Sequence, residues 1–346
     1  MRCTARALLC IFVFAWCASS AQAFSLPHDA GAHAERPREW WRTLAHLQAA
    51  DGRRFEAAAT FFRFAVVPPS DVRGAWSTTA ILSVSVAIGD ESQRTTFTAH
   101  TLERDALGLA HAAKSRLDLA VGHSFLRALD AASNSERRFR VHVETGGASA
   151  ELEQRVVQPA VPLGSQAYAY PRLDVRGTLR IGAESVAVRG TGWLDHEYGA
   201  DQLDRGEIGW DRFVMHFDDG RVVMIEQRRL RGNRKSLAST GIFVDRRGRA
   251  TRLSARDFRI VNALDTHWQS PHTGARYPSL WEIFVPLAGL DLAVIPPFLD
   301  QEISAEGAGA SYYCGAITLE RAPLPEHTDT GRGFVELTGY ARPLVF

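Results

Sequence analysis

The sequence predicts an all-β protein built as two tandem β-barrel domains. Three observations carry that expectation. Short β-branched or alternating runs, separated by turn residues, recur along nearly the whole chain. Two segments share one plan about half a chain apart. The chain beyond its leader also holds a single cysteine, Cys314, so no intrachain disulfide is available to protect exposed sheet edges. Closing each sheet into a barrel removes those edges.

Residues 1–23 read as a cleavable secretory signal peptide. Arg2 and Arg6 supply a positive start, Ala7 to Ser20 an apolar core, and Ala21-Gln22-Ala23 a small-x-small cleavage site that leaves Phe24 as the mature N-terminus. The apolar run is about 14 residues, short of the ~20 that span a bilayer. Cys3, Cys10 and Cys17 leave with it. Some 320 residues then remain (about two domains' worth), which places the mature protein in the periplasm or outside the cell with its stability drawn from core burial. Net charge is close to zero, and the arginines are interleaved with carboxylates while Lys114 and Lys235 are the two lysines. That pattern argues against a nucleic-acid partner. No second segment is long enough to span a membrane, so no transmembrane segment is expected in the mature chain.

The repeat opens with Trp40-Trp41-Arg42-Thr43-Leu44-Ala45-His46-Leu47 before Asp51-Gly52-Arg53. It returns as Trp210-Asp211-Arg212-Phe213-Val214-Met215-His216-Phe217 before Asp219-Gly220-Arg221, with Trp, Arg and His at the same offsets. Asp-Gly between strand-like runs signals a hairpin. A closing match pairs Val188-Arg189-Gly190-Thr191-Gly192-Trp193 with Val335-Glu336-Leu337-Thr338-Gly339-Tyr340. These place the domains at 24–200 and 201–346, joined through Gly199 to Gly209. Between the repeats, strands are expected in Val72 to Gly89, Phe139 to Glu144, Leu173 to Val188 with a turn at Gly182-Ala183-Glu184, Trp281 to Val285 and Leu290 to Ile295. Leu107 to Ala132, rich in Ala and Leu and free of Pro, leans helical.

The densest polar cluster is Trp193-Leu194-Asp195-His196-Glu197-Tyr198. On a strand, Asp195 and Glu197 share one face and His196 and Tyr198 the other. A carboxylate beside an imidazole suits acid–base chemistry; the same residues also suit a hydrogen-bonded tie between domains. The twelve histidines are scattered, and His196 has no imidazole at ligand spacing, so no metal and no cofactor is expected. Trp40 and Trp41 suggest one ring in the core and one at a cavity mouth, or two rings that only pack, the commoner fate of Trp in β-proteins, while Arg42 and His46 face the same side. Arg63 is a polar binding feature if it points inward and a solvated residue if it does not. Nucleophilic catalysis and phosphate loops are not signalled, and Cys314 sits where a buried, inert thiol is the default.

Glu39-Trp40-Trp41, Asp51-Gly52-Arg53, Thr60-Phe61-Phe62-Arg63, Tyr170-Pro171-Arg172-Leu173, Trp193-Leu194-Asp195-His196-Glu197, Gly209-Trp210-Asp211, Asp300-Gln301-Glu302 and Val335 to Tyr340 together resemble the carotenoid 1,2-hydratase (hydroxyneurosporene synthase) and AttH-type family. The resemblance spans essentially the whole mature chain. It implies two lipocalin-like (calycin) barrels, and either hydration of an isoprenoid double bond or a secreted hydrolase activity. Asp195, His196 and Glu197 match the family's polar motif. Tyr198 stands where that motif has Trp, Arg42 where the first motif has Tyr, and Glu226 is the one carboxylate on the strand where a hydratase offers an acid. With export, these departures favour the AttH-like branch. The resulting expectation is a protein that binds a hydrophobic lipid or isoprenoid near the interdomain cleft. Asp195, His196 and Glu197 would perform any acid–base addition or hydrolysis. Trp40, Trp41, Arg42, Arg63, Tyr198 and Trp210 would line the site. The alternative is a non-catalytic carrier serving an envelope ABC transporter.

Overall fold

The computed structural model describes residues 24–67, 74–129, 137–199, 203–232, 234–304, 311–321 and 331–344. The signal peptide expected at 1–23 lies outside the described residues, as does part of the 199–209 junction. The first half forms β1 (Arg38–Ala49), β2 (Arg54–Ala65), β3 (Ala80–Asp90), β4 (Thr95–Arg104), β5 (Ala110–Ala112), β6 (Asp118–Val121), β7 (Ser124–Ala128), β8 (Arg138–Glu144), β9 (Ala148–Val156), β10 (Val161–Pro162), β11 (Ala167–Ile181) and β12 (Glu184–Glu197). The second half forms β13 (Glu207–Phe217), β14 (Val222–Leu230), β15 (Arg234–Lys235), β16 (Thr240–Val244), β17 (Ala250–Ser254), β18 (Arg259–Asn262), β19 (His267–Gln269), β20 (Arg276–Pro278), β21 (Trp281–Val285), β22 (Leu290–Ile295), β23 (Glu302–Ile303), β24 (Tyr312–Arg321) and β25 (Gly331–Leu337).

Two large antiparallel sheets result, each curled around its own core, giving the tandem lipocalin-like double barrel. The first runs β4-β3-β2-β1-β12-β11-β9-β8-β7-β6-β5 and the second β17-β16-β14-β13-β25-β24-β22-β21-β18. In both, the opening strand sits between its hairpin partner and the closing strand, so the repeat seen in sequence is a repeat of topology. The two Asp-Gly hairpins match atom for atom. Gly52 (φ +89°) and Gly220 (φ +94°) take the left-handed turn position. Asp51 Oδ1 accepts from Arg53 N and Asp219 Oδ1 from Arg221 N, both at 3.0 Å.

Two expectations are corrected. Leu107 to Ala132 is not helical: β5, β6 and β7 occupy its described part, and Leu117, Leu119, Val121 and Leu126 alternate into the first core. Its Ala and Leu content reflects burial against a sheet, a context that overrides helix propensity. The closing sequence match is out of structural register. Gly192 lies inside β12 opposite Ala45, whereas Thr338 and Gly339 follow the end of β25. The true counterparts are Asp195, opposite Arg42, and Glu336, opposite Arg212.

Period-two alternation on β1 sends Trp41, Ala45 and Leu47 into the first barrel and leaves Arg42, Leu44 and His46 on the opposite face. On β13, Phe213, Met215 and Phe217 enter the second barrel and Arg212, Val214 and His216 face outward. These two outer faces pack on each other. Leu44, Ala58, Trp193, Val214, Met224 and Phe334 form a third apolar cluster between the barrels. The two repeats therefore meet through their equivalent strands.

Candidate functional site

The β1–β12 register sets Trp40 opposite Glu197, Trp41 opposite His196 and Arg42 opposite Asp195. The polar motif is thereby divided. Asp195 and Glu197 lie on the face between the barrels, while His196 and Tyr198 lie on the lumen side of the first barrel, Tyr198 within its apolar core.

On the interdomain face the charges cross over. Arg42 Nη2 donates to Asp195 Oδ2 at 2.5 Å, and Arg42 Nη1 donates to Glu336 Oε2 of the other sheet at 3.0 Å. Arg212 Nη1 donates to Glu197 Oε1 of the first sheet at 2.7 Å, and its Nε to Glu226 Oε2 of its own at 2.7 Å. Indole donors complete the network: Trp193 Nε1 to Asp195 Oδ2 at 2.5 Å and Trp210 Nε1 to Glu336 Oε1 at 2.6 Å. Burial opposes charge on both guanidiniums, yet the surrounding carboxylates hold both above the ordinary arginine value. Burial pushes the Glu197 carboxyl up, with Arg212 countering it. Burial also acts on Glu226, but Arg212 and Arg228 prevail and bring it down to about 2. The void beside this network, lined by Leu44, Val214, Cys314 and Phe334, measures about 10 Å³. That is at the lower limit for one water, so the network is a clamp rather than a chamber. Burial raises the Cys314 thiol, which is inert here.

The lumen side holds a second cluster around Glu39, which is fully buried. Its Oε1 accepts from Arg63 Nη1 at 3.1 Å, and its Oε2 lies 3.2 Å from His33 Nδ1 and 3.3 Å from His196 Nε2. Arg63 thus points inward, and its Nη1 also donates to the His33 and Arg36 carbonyls at 3.3 Å. Trp41 stacks on His196 at 4.3 Å and Tyr198 on His33 at 3.9 Å. Trp41 is in the core; Trp40, 8% exposed, packs against Phe62. The spacing of histidines in sequence gave His196 no imidazole neighbour. The fold supplies one, because the N-terminal segment brings the His33 ring to 5.5 Å.

Between the barrels, on the side of His46, an open cleft of about 660 Å³ is lined by His46, Arg54, Arg172, His216, Phe217 and Arg332, among others. His46 stacks on Phe334 at 4.4 Å, and His216 meets it edge-on at 5.9 Å. His216 Nε2 donates to the Pro171 carbonyl at 2.8 Å. Burial brings His216 down to about 4 and His46 well below the usual imidazole range, so both rings are neutral. Glu56, opposite His46 on β2, is raised by burial to about 8, against the pull of Arg332 and with the help of Asp90. Both nitrogens of His46 and both carboxyl oxygens of Glu56 are buried without a hydrogen-bond partner among the described residues.

With this geometry established, comparison with known proteins places the chain. A family model described as AttH-like matches residues 17–340. The chain belongs to the AttH-like family. An AttH-type protein of Nitrosomonas europaea shares 24% identity and superposes with a TM-score of 0.79 over 93% of this chain and 98% of that one. Kievitone hydratase of Nectria haematococca shares 14% identity, with a TM-score of 0.68 over 92% and 93%. At these identities the likeness establishes the fold. No curated protein matches.

Several residues of this AttH-like chain's clefts and clusters were not singled out from sequence: His33, Glu56, Arg332 and Glu336. His216 was visible only through its matching offset to His46, and that repeat was the signal that would have paired them across the interface. Glu56 is a lone carboxylate preceding Ala57-Ala58-Ala59 on a strand buried on both faces. Arg42, Asp195, Glu197 and Trp210 are brought together. His196, Trp41, Arg63 and Tyr198 form a separate group inside the first barrel.

Proposed function

We propose that the protein is exported and binds a hydrophobic small molecule, a lipid or isoprenoid, in the cleft between its two barrels. One observation carries this reading: His46 on the cleft wall, with Glu56 opposite it on β2, holds buried polar atoms that find no hydrogen-bond partner among the described residues. Leaving such groups unmade costs about 1–3 kcal/mol each, so a ligand with a polar end that reaches them gains that much. The cleft's Arg54, Arg172 and Arg332 suit a ligand with an anionic or polar end. Export rests on the leader read at 1–23, and Phe24, the mature N-terminus this implies, stacks on Tyr168 at 5.0 Å. Among the described residues no helix is long and apolar enough to cross a membrane.

Acid–base addition or hydrolysis is the second reading, favoured by two carboxyls that burial raises, Glu197 of the motif and Glu56 beside the cleft. A neutral carboxyl can donate the proton that addition to a double bond requires. Kievitone hydratase, similar in fold, carries that type of reaction in its name. A carrier serving an envelope ABC transporter needs the same cleft without the proton transfer, with Asp195 and Glu197 clamping the barrels through Arg42 and Arg212. Native mass spectrometry and lipid extraction of protein purified from its own periplasm test the binding reading. A reproducible apolar ligand, lost in Arg332→Ala, supports it, and a wild-type protein that retains none and binds none from a periplasmic lipid extract overturns it. Turnover of the recovered ligand that stops in Glu56→Gln or Glu197→Gln selects the enzyme; an unchanged ligand selects the carrier.

A further inference from the structure

The Glu39 cluster inside the first barrel is used by neither reading. Its hydrogen-bond accounting does not close with neutral rings. His196 Nδ1 faces the Asp29 carbonyl at 3.0 Å and its Nε2 faces Glu39 Oε2 at 3.3 Å. His33 Nδ1 faces the same Glu39 Oε2 at 3.2 Å, and its Nε2 faces Asp29 Oδ1 at 3.7 Å. Three of the four ring nitrogens thus stand within hydrogen-bond range of oxygens that only accept, while two neutral imidazoles carry two protons between them and the His33 proton serves either Glu39 or the Asp29 side. At least one nitrogen lone pair is left aimed at an acceptor oxygen, in a site where Glu39 is 0% and His196 1% exposed. A cation placed among these atoms would satisfy it.

We propose that His33, Glu39 and His196 form a zinc site, with His33 Nδ1, Glu39 Oε2 and His196 Nε2 as its three protein ligands. One divalent ion accepts that lone pair and gives the three facing atoms a common partner. The three atoms lie within 4.8 Å of one another. The two edges that meet at Glu39 Oε2, 3.2 and 3.3 Å, match the roughly 3.4 Å edge of a tetrahedron whose corners stand about 2.0–2.1 Å from the ion. With Nδ1 of His33 and Nε2 of His196 on the metal, the remaining His196 proton is donated to the Asp29 carbonyl at 3.0 Å, and that of His33 faces the Asp29 carboxylate at 3.7 Å as an ion-pair contact. That is how outer-shell acceptors fix the tautomer of ligating histidines. The rings are held before any ion arrives, by stacking on Tyr198 and Trp41. Arg63 takes Glu39 Oε1, and the His33 backbone N–H bridges both carboxylate oxygens at 3.0 Å, which leaves one lone pair of Oε2 for the metal. The His33 side chain keeps 11% exposure, so the fourth position opens on its side and takes a water. Imidazole and carboxylate donors suit zinc among the common divalent ions, and exclude calcium and magnesium, which prefer all-oxygen sites.

Bound zinc would pin the N-terminal segment carrying Asp29 and His33 to β1 and β12. Tag-free, full-length mature protein, stripped with chelator and titrated with zinc chloride alone by calorimetry, is expected to bind one ion per chain. Hydrogen exchange over 28–36 is expected to slow on binding. His33→Ala, on the exposed side of the cluster and away from the barrel seam, is expected to weaken binding at least about a hundredfold, and Asp29→Asn about tenfold. His111→Ala, at an exposed histidine paired with Asp118, serves as the control and is expected to change nothing. Wild-type protein that takes up no zinc overturns the site without recourse to any variant. Uptake that is unchanged in His33→Ala overturns it equally, since the ion then sits elsewhere. Neither outcome bears on ligand binding in the interdomain cleft, which is measured separately.

Discussion

Arg42 and Arg212, equivalent residues of the two repeats, each reach across the domain boundary to a carboxylate at the end of the other repeat: Arg42 to Glu336 at 3.0 Å and Arg212 to Glu197 at 2.7 Å. The exchange is reciprocal and almost wholly buried. Removing one partner of a buried pair strands the other charge and costs about 3–5 kcal/mol. Arg42→Met is therefore expected to destabilise the protein by that amount, since both Asp195 and Glu336 lose their cation. Because the loss falls on the interface, calorimetry is expected to resolve two thermal transitions where the wild type shows one. A single transition shifted by less than about 1 kcal/mol would mean that the crossover does not hold the barrels together.

Glu56 makes stability depend on pH in the direction opposite to most carboxylates. Its folded value of about 8 lies above the ordinary 4.5. Between those values the folded state holds a proton that the unfolded state has lost, so stability falls as pH rises. Its contribution is complete below about pH 4.5 and declines progressively up to about pH 8. The facing groups are Arg332, which attracts the carboxylate, Asp90, which repels it, and the neutral His46 across the strand pair. Glu56→Gln is expected to flatten the decline of urea-unfolding free energy between pH 5 and 8. An unchanged slope would show that Glu56 is ionised and paired in solution.

His46 separates packing from binding. Its ring stacks on Phe334, yet neither nitrogen has a hydrogen-bond partner among the described residues. Replacing an unsatisfied polar group with an apolar one of similar size is neutral or favourable to the empty protein. His46→Leu is expected to leave unfolding free energy within about 1 kcal/mol of wild type, or raise it, while lowering ligand retention in native mass spectrometry at least tenfold. Full retention would make His46 a packing residue and remove the main support for the cleft.

The limits of sequence reading follow from where strands lie. The hairpins at Asp51-Gly52 and Asp219-Gly220 were legible because a left-handed turn demands a small set of residues. The alternation of Asp195 and Glu197 against His196 and Tyr198 was legible because strand parity is a matter of counting. Which face met what was not. β1 is buried on both sides, so Arg42 and Glu39 read alike although one faces the second barrel and the other the first lumen. The mistaken helix at Leu107 to Ala132 arose because short strands within a curled sheet can be Ala- and Leu-rich once tertiary contacts cover them. His33 could not be joined to His196 by spacing, since 163 residues and a sheet closure separate them.

The seam between β1 and β12 offers a last test, because two glycines near it differ in kind. At Gly190 a Cβ would stand 1.7 Å from the His46 carbonyl oxygen, which is backbone in the paired strand and cannot turn aside. Gly190→Ala must push β12 off β1, and with it the opposition of Arg42 to Asp195 and of Trp41 to His196. A loss of more than about 3 kcal/mol is expected, at the upper end of single substitutions. Gly52, by contrast, has no heavy atom within 4 Å of the added carbon, and its φ of +89° alone makes alanine unfavourable. Gly52→Ala is expected to cost about 1–2 kcal/mol, the strain of the left-handed conformation. Paired denaturant titrations read the difference directly. Equal losses would mean that the seam yields to the extra carbon, and that the register which sets both polar clusters is softer than the strand pairing implies.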